Sequence, residues 1–197
     1  MTGRGITPSQ TVGPYFAYAL TPTEYPITAL VGDNLITDDT VGEPIRIEGR
    51  VYDGEGEAVP DAFVEIWQAD GASRYPGHDT ATRPNTTFKG CGRSECDKDG
   101  RYGFRTVKPG RVPGPSGVRQ APHINVGVFA RGVQRRLFTR IYFDGEPAND
   151  GDEILAMVPP DGRPTLIARR NGTVDGMPRY VFDIHLQGEN ETVFFEA

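Results

Sequence analysis

The feature that most constrains this chain is its punctuation: 25 glycines and 17 prolines among 197 residues separate short runs rich in β-branched and aromatic side chains. Proline and glycine both disfavour helix interiors, and no run between them sustains a helical apolar period. The runs alternate instead. In "PIRIEGRVYD" (44–53), Ile45, Ile47, Gly49 and Val51 share one face. In "AFVEIWQAD" (62–70), Ala62, Val64 and Ile66 lie opposite Phe63, Glu65 and Trp67. A long polar loop is expected over 71–98. Further strands are expected in "GRYGFRTV" (100–107), "HINVGVFA" (123–130), "RLFTRIYFD" (136–144), "TLIARRN" (165–171) and "RYVFDIHLQG" (179–188). Only "DGDEILAMV" (150–158) has room for a short helical turn or two. Seven or so short alternating strands predict an all-β fold, a β-sandwich of mostly antiparallel strands.

Residues 1–43 follow another rule. "TPSQTVGPYFAYALTPTEYPITALVGDN" is aromatic and apolar but has no period, so it is too apolar for a solvated tail and too irregular for a core strand. The expectation is an extended N-terminal arm (1–43) ahead of a sandwich domain (44–197). Tyr15, Phe16, Tyr18 and Tyr25 would be buried against another subunit or folded over the chain's own sandwich.

The net charge of −6 argues against binding to phosphate backbones. No apolar stretch is long enough to span a bilayer, and the polar opening "MTGRGITPSQ" does not read as a secretory signal, so the expected compartment is the cytoplasm. Arg131, Arg135, Arg136 and Arg140 cluster in "ARGVQRRLFTR"; Arg135 and Arg136 read as a solvated hairpin edge. Cys91 and Cys96 have no second Cys or His pair nearby and read as reduced thiols, with a local disulfide as the alternative.

Of the three histidines, His78 lies in a Pro/Gly-flanked loop and His185 reads as a half-exposed strand residue. His123 opens "HINVGVF", read as a buried-edge strand whose opposite face is Ile124, Val126 and Val128. A metal site on a strand needs ligands at i and i+2, where side chains share a face; His123 fits and Asn125 does not. No nucleophile motif or phosphate loop is present. On the residues alone this is a β-sandwich with an aromatic arm and no self-sufficient catalytic constellation.

Several segments together nonetheless resemble one family. "GRVYDGEGEAVPDAFVEIWQAD" (49–70), "DGRYGFRTVKPG" (99–110), "APHINVGVFARGVQRRLFTRIYFDGEP" (121–147) and "GENETVFFEA" (188–197) match the intradiol ring-cleaving dioxygenases in order. The opening "TPSQTVGPYF" and the tripeptide "HIN" resemble the alpha subunit of its heteromeric members. The resemblance implies a non-heme Fe(III) held by two tyrosinates and two histidines, a catecholic substrate and cleavage between its hydroxyl-bearing carbons. The paired histidines align with His123 and Asn125. One tyrosine aligns with Val112 in "KPGRVPG", which has no donor atom. The other falls in the loop after Trp67, where Tyr75 aligns better with a non-ligand tyrosine and Thr80 and Thr82 stand near the ligand position.

The resemblance therefore implies a chain without catalytic iron, its metal strand vestigial at Val112, His123 and Asn125. The Fe(III) would be held by a partner beta subunit within a higher-order alpha–beta oligomer acting on a small aromatic acid. It also implies that Thr11, Gly13, Pro14 and Tyr15 of the arm, together with Arg131, line the partner's substrate site. A guanidinium there would suit a substrate carboxylate. Two alternatives stay open: an independent dioxygenase with substituted ligands, and a transthyretin-like binding module.

Overall fold

Strand β1 (Pro44–Tyr52) shows how alternation builds the molecule: Ile45, Ile47 and Val51 are fully buried while Arg46, Glu48 and Arg50 point outward. The computed structural model describes residues 20–21, 29–76 and 87–196. Beyond β1 it contains β2 (Phe63–Trp67), β3 (Cys91–Glu95), β4 (Arg101–Val107), β5 (His123–Phe129), β6 (Leu137–Phe143), β7 (Ile167–Val174), β8 (Met177–Val181) and β9 (Ile184–His185). One short α-helix, α1 (Glu153–Met157), lies between β6 and β7, flanked by 3-10 turns at Pro147–Gly151 and Arg163–Leu166.

The strands run in the order β3-β2-β5-β6-β7-β8-β1-β4, with β9 beside β1. The β3-β2-β5-β6 half is antiparallel throughout. The start of β7 joins β6 in parallel at Tyr142↔Ile167 and Phe143↔Ala168, and its remainder pairs antiparallel with β8. Inward side chains of both halves meet in one core: Ile45, Ile47 and Phe104 from one side, Val64, Ile66, Ile124, Val126 and Ile141 from the other. Such a two-layer core is the expected solution for sheets with one apolar face each.

Two expectations need correction. The 71–98 segment is not loop throughout, because β3 pairs with β2 along its whole length. "CGRSE" lacks β-branched residues; tertiary packing supplies what propensity does not. A Cβ on Gly92 would come within 2.6 Å of the Leu35 side chain, so glycine admits the 32–35 segment against the strand. The "HINVGVF" strand is no edge either: β5 lies between β2 and β6 and is covered on both faces.

Gly49 answers a close approach. A Cβ there would overlap the Phe182 carbonyl, which also accepts a 2.6 Å hydrogen bond from the buried Tyr102 hydroxyl. Of the arm, Leu35 is buried and its amide donates to the Arg105 carbonyl at 2.8 Å, so residues 33–35 run beside β4. His185 is half-buried and stacks on Tyr52 at 4.9 Å. Cys91 and Cys96 are free thiols. Burial, then neighbouring carboxylates, pushes the Cys96 thiol up to about 12.

Candidate functional site

Strand pairing sets the outward residues of β2, β5 and β6 in rows. Trp67 lies opposite Asn125, and Asn125 opposite Arg140; one step along, His123 lies opposite Tyr142. Both rows are on the face away from the core, because Ile124, Val126 and Ile141 point inward. The Trp67 ring, 40% exposed, stacks on Tyr75 at 5.9 Å.

The His123 row is sealed by the segment that follows β6. Leu155 of α1, with Val158, Leu166 and Ala121, buries Tyr142 in a second, smaller core. Asp152 fastens it. As the N-cap of α1 its carboxylate accepts from the Ile154 and Leu155 amides, and it also accepts from the Ala121 amide at 2.7 Å and the Tyr142 hydroxyl at 3.0 Å. His123, 4% exposed, bonds the Ala121 carbonyl through Nδ1 at 2.9 Å. A carbonyl only accepts, so Nδ1 carries the proton and the lone pair lies on Nε2. Burial, then the Arg140 charge, pushes the His123 imidazole down to about 4. It is therefore neutral at physiological pH.

The neighbouring row is polar but short of anionic donors. Burial raises the Tyr75 phenol above its ordinary value; the Arg140 charge and a hydrogen bond with Asn125 only partly offset this. Tyr75 thus stays a phenol. Val112, ahead of the β5 strand, is buried, and its carbonyl accepts from the Gln120 amide at 2.8 Å. Arg140 Nη1 donates to Gln120 Oε1 at 3.0 Å and lies 3.5 Å from the Tyr142 hydroxyl. Against the family's ligand set of two tyrosinates and two imidazoles, the three aligned positions among the described residues offer one imidazole, an amide and an alkyl group, with the neutral Tyr75 phenol nearby. That set does not fit a ferric ion, which needs hard anionic oxygens and neutral nitrogens. Among the described residues no cluster of three or more His, Cys, Asp or Glu could hold a metal.

The structure thus brings His123 and Asn125 together with Tyr75, and places Val112 beside Gln120. Arg131 is elsewhere. It follows the far end of β5, roughly 20 Å from His123 at the strand rise of an antiparallel sheet. Its side chain is 79% exposed and pairs with Asp61 at 2.8 Å. Thr11, Gly13, Pro14 and Tyr15 lie outside the described residues, as do His78, Thr80 and Thr82. Arg136 is not simply a solvated edge charge: it bonds Glu65 at 3.1 Å and covers the Phe129 and Phe138 rings at 5.3 and 4.7 Å. Sequence reasoning missed Arg140, Gln120, Tyr142 and Asp152. Alternation in "RLFTRIYF" carried the signal for two of them, since Arg140 and Tyr142 share the outward parity.

Comparisons with known proteins agree with this fold. A dioxygenase family model matches residues 11–188. The alpha chain of protocatechuate 3,4-dioxygenase from Burkholderia cepacia is 42% identical over the whole of both chains. That from Pseudomonas putida is 44% identical over 96% of each. The beta chain from Burkholderia cepacia is 37% identical over 90% of this chain and 77% of its own. Among solved structures, the dioxygenase domain of a carbohydrate-binding fusion protein from Streptomyces sp. SirexAA-E superposes with a TM-score of 0.62 at 28% identity, over 92% of this chain and 98% of that one. Catechol 1,2-dioxygenase from Acinetobacter sp. ADP1, at 22% identity and TM-score 0.65 over 88% of this chain and 65% of that one, shares the fold. With one sandwich, one outward histidine strand and relatives matched end to end, this chain belongs to the intradiol dioxygenase family.

Proposed function

We propose that this chain is the alpha subunit of a protocatechuate 3,4-dioxygenase. Together with a beta subunit it supports the O2-dependent cleavage of 3,4-dihydroxybenzoate, between its hydroxyl-bearing carbons, to 3-carboxy-cis,cis-muconate. The Fe(III) that activates the catecholic substrate towards oxygen is held by the beta subunit. The observation that carries this reading is the donor set on and beside the β5 face: Val112 and Asn125 stand where the resemblance aligns a tyrosinate and an imidazole, and the nearby Tyr75 stays a neutral phenol.

The chain's own contribution is to the partner's site. Thr11, Gly13, Pro14 and Tyr15 of the arm line it, glycine and proline giving a close backbone approach on a restricted path. Arg131 offers its guanidinium to the substrate carboxylate. Its exposure and its distance from His123 support a role directed at another chain. Alpha–beta pairs assemble further into a cytoplasmic oligomer; among the described residues no helix is long and apolar enough to cross a membrane.

The test is metal content with a visible spectrum. Expressed alone, this chain carries no iron and no tyrosinate charge-transfer colour. Co-expressed with a beta subunit, the pair carries both. Stoichiometric iron and colour in the lone chain would establish an independent dioxygenase instead.

A further inference from the structure

On the opposite outer face of the sandwich, strand pairing lines up like charges. Arg46 of β1 lies opposite Arg105 of β4 on one side and Arg179 of β8 on the other; four residues along, Arg50 lies opposite Arg101. All five point outward, because Ile45, Ile47, Tyr102, Phe104 and Tyr180 fill the core from the same strands. Like charges directly opposite one another destabilise a sheet. The row between them holds one carboxylate, Glu48, facing Gly103 and Val181. The fold does not require that glycine: its φ is not left-handed, and a Cβ there would stand 3.6 Å from its nearest neighbour. What its missing side chain leaves is part of a hollow of about 610 Å³, lined by all five arginines and by Asp33, Glu48 and Asp183. That is the size of a small-molecule site.

The arginines are only partly neutralised. Arg46 pairs with Asp175 at 2.7 Å and lies 3.2 Å from Glu48, yet its buried Nε makes no hydrogen bond. Arg101 pairs with Asp99 at 2.7 Å, and Arg179 reaches Glu48 only at 3.8 Å. Among the described residues the side chains of Arg50 and Arg105 make no hydrogen bond or ion pair. The Asp183 carboxylate is engaged by the Arg50 amide at 2.9 Å. In a chain whose net charge is −6, this excess of cations is local. We propose that the hollow over Gly103 binds a small polyanion, a compound carrying two or more carboxylate or phosphate groups. Guanidinium forks match both groups. The two arginine rows are roughly 13 Å apart at the strand rise, so a monoanion meets one row while a polyanion meets both. The site lies on this chain's own outer sheet and stands whichever chain carries the iron.

The test titrates the full-length chain at low ionic strength with citrate, pyrophosphate and, as the monoanion, acetate, read by calorimetry. One of the two polyanions binds at one site per chain, at least about tenfold tighter than acetate. Tighter citrate makes the ligand a polycarboxylate, and tighter pyrophosphate makes it a phosphate compound. Arg50→Gln and Arg105→Gln each weaken that binding about tenfold, the size of one lost charge-assisted hydrogen bond. Arg135→Gln removes an exposed charge elsewhere and leaves it unchanged. Gly103→Gln fills the hollow and abolishes binding without lowering the thermal unfolding midpoint, because glycine inside a strand is itself unfavourable. Gly103→Thr is the second filling variant should glutamine fold poorly. The proposal is overturned if neither polyanion binds better than acetate, if Arg135→Gln weakens binding as much as Arg50→Gln and Arg105→Gln, or if a folded Gly103 variant binds like the parent.

Discussion

His123 shows how one position can keep its place in a fold after losing its chemistry. Its ring is sealed beneath α1 and held neutral by burial and by Arg140, down to about pH 4 from an ordinary 6.5. The unfolded chain takes up a proton at this residue near pH 6.5, while the folded chain does so only near 4. The contribution is complete above pH 6.5 and is lost as pH falls through that window, by up to roughly 3 kcal/mol. His123→Gln removes the term. Urea midpoints measured at pH 7 and pH 4.5 should differ less for the variant than for the parent, and equal slopes would mean that the imidazole titrates normally. Gly49 makes a second residue-scale prediction. Any side chain there meets a backbone carbonyl that cannot swing away, so Gly49→Ala should cost about 3 kcal/mol or more in denaturant. A loss below 1 kcal/mol would mean that the 182 segment yields.

At the scale of elements, Asp152 joins α1, β6 and the approach to β5 through one carboxylate that is 1% exposed. Asp152→Ala strands several buried donors together and should cost roughly 3–5 kcal/mol. Asp152→Asn keeps one acceptor oxygen and should lose less; equilibrium unfolding by fluorescence ranks the two. This element logic also explains what could be read from the chain. Strands such as β1 and β5 were legible because their β-branched residues recur on one face, Ile45, Ile47 and Val51 in β1 and Ile124, Val126 and Val128 in β5. β3 was not: "CGRSE" has no propensity signal, and its strand state comes from pairing with β2 and from Gly92 making room for Leu35. His123 and Asn125 were visible as an i, i+2 pair within one strand. Arg140 was visible only as part of a basic cluster, because its place beside them depends on the register between β5 and β6, which one strand's pattern does not contain.

For the whole molecule, the two ends of β5 face different tasks. The His123 end is closed over by this chain's own helix and cation, while the Arg131 end is open. The Arg131–Asp61 pair is an exposed ion pair, and such pairs contribute little stability, so Arg131→Ala should leave the unfolding midpoint of the chain nearly unchanged. If Arg131 meets the substrate carboxylate at the partner's iron, the same variant in the alpha–beta assembly should raise KM for protocatechuate about tenfold, with a smaller change in kcat. That is the expected size for a charge-assisted hydrogen bond made to the bound substrate as well as to the transition state. Arg131→Lys should recover only part of the loss, because an ammonium does not reproduce the planar two-donor fork. A substrate analogue lacking the carboxylate separates this from a structural effect. Its kinetics should be indifferent to the substitution, since there is no anion for the guanidinium to hold. Equal losses on both substrates would move Arg131 from substrate binding to subunit packing, and unchanged kinetics on both would remove it from the site altogether.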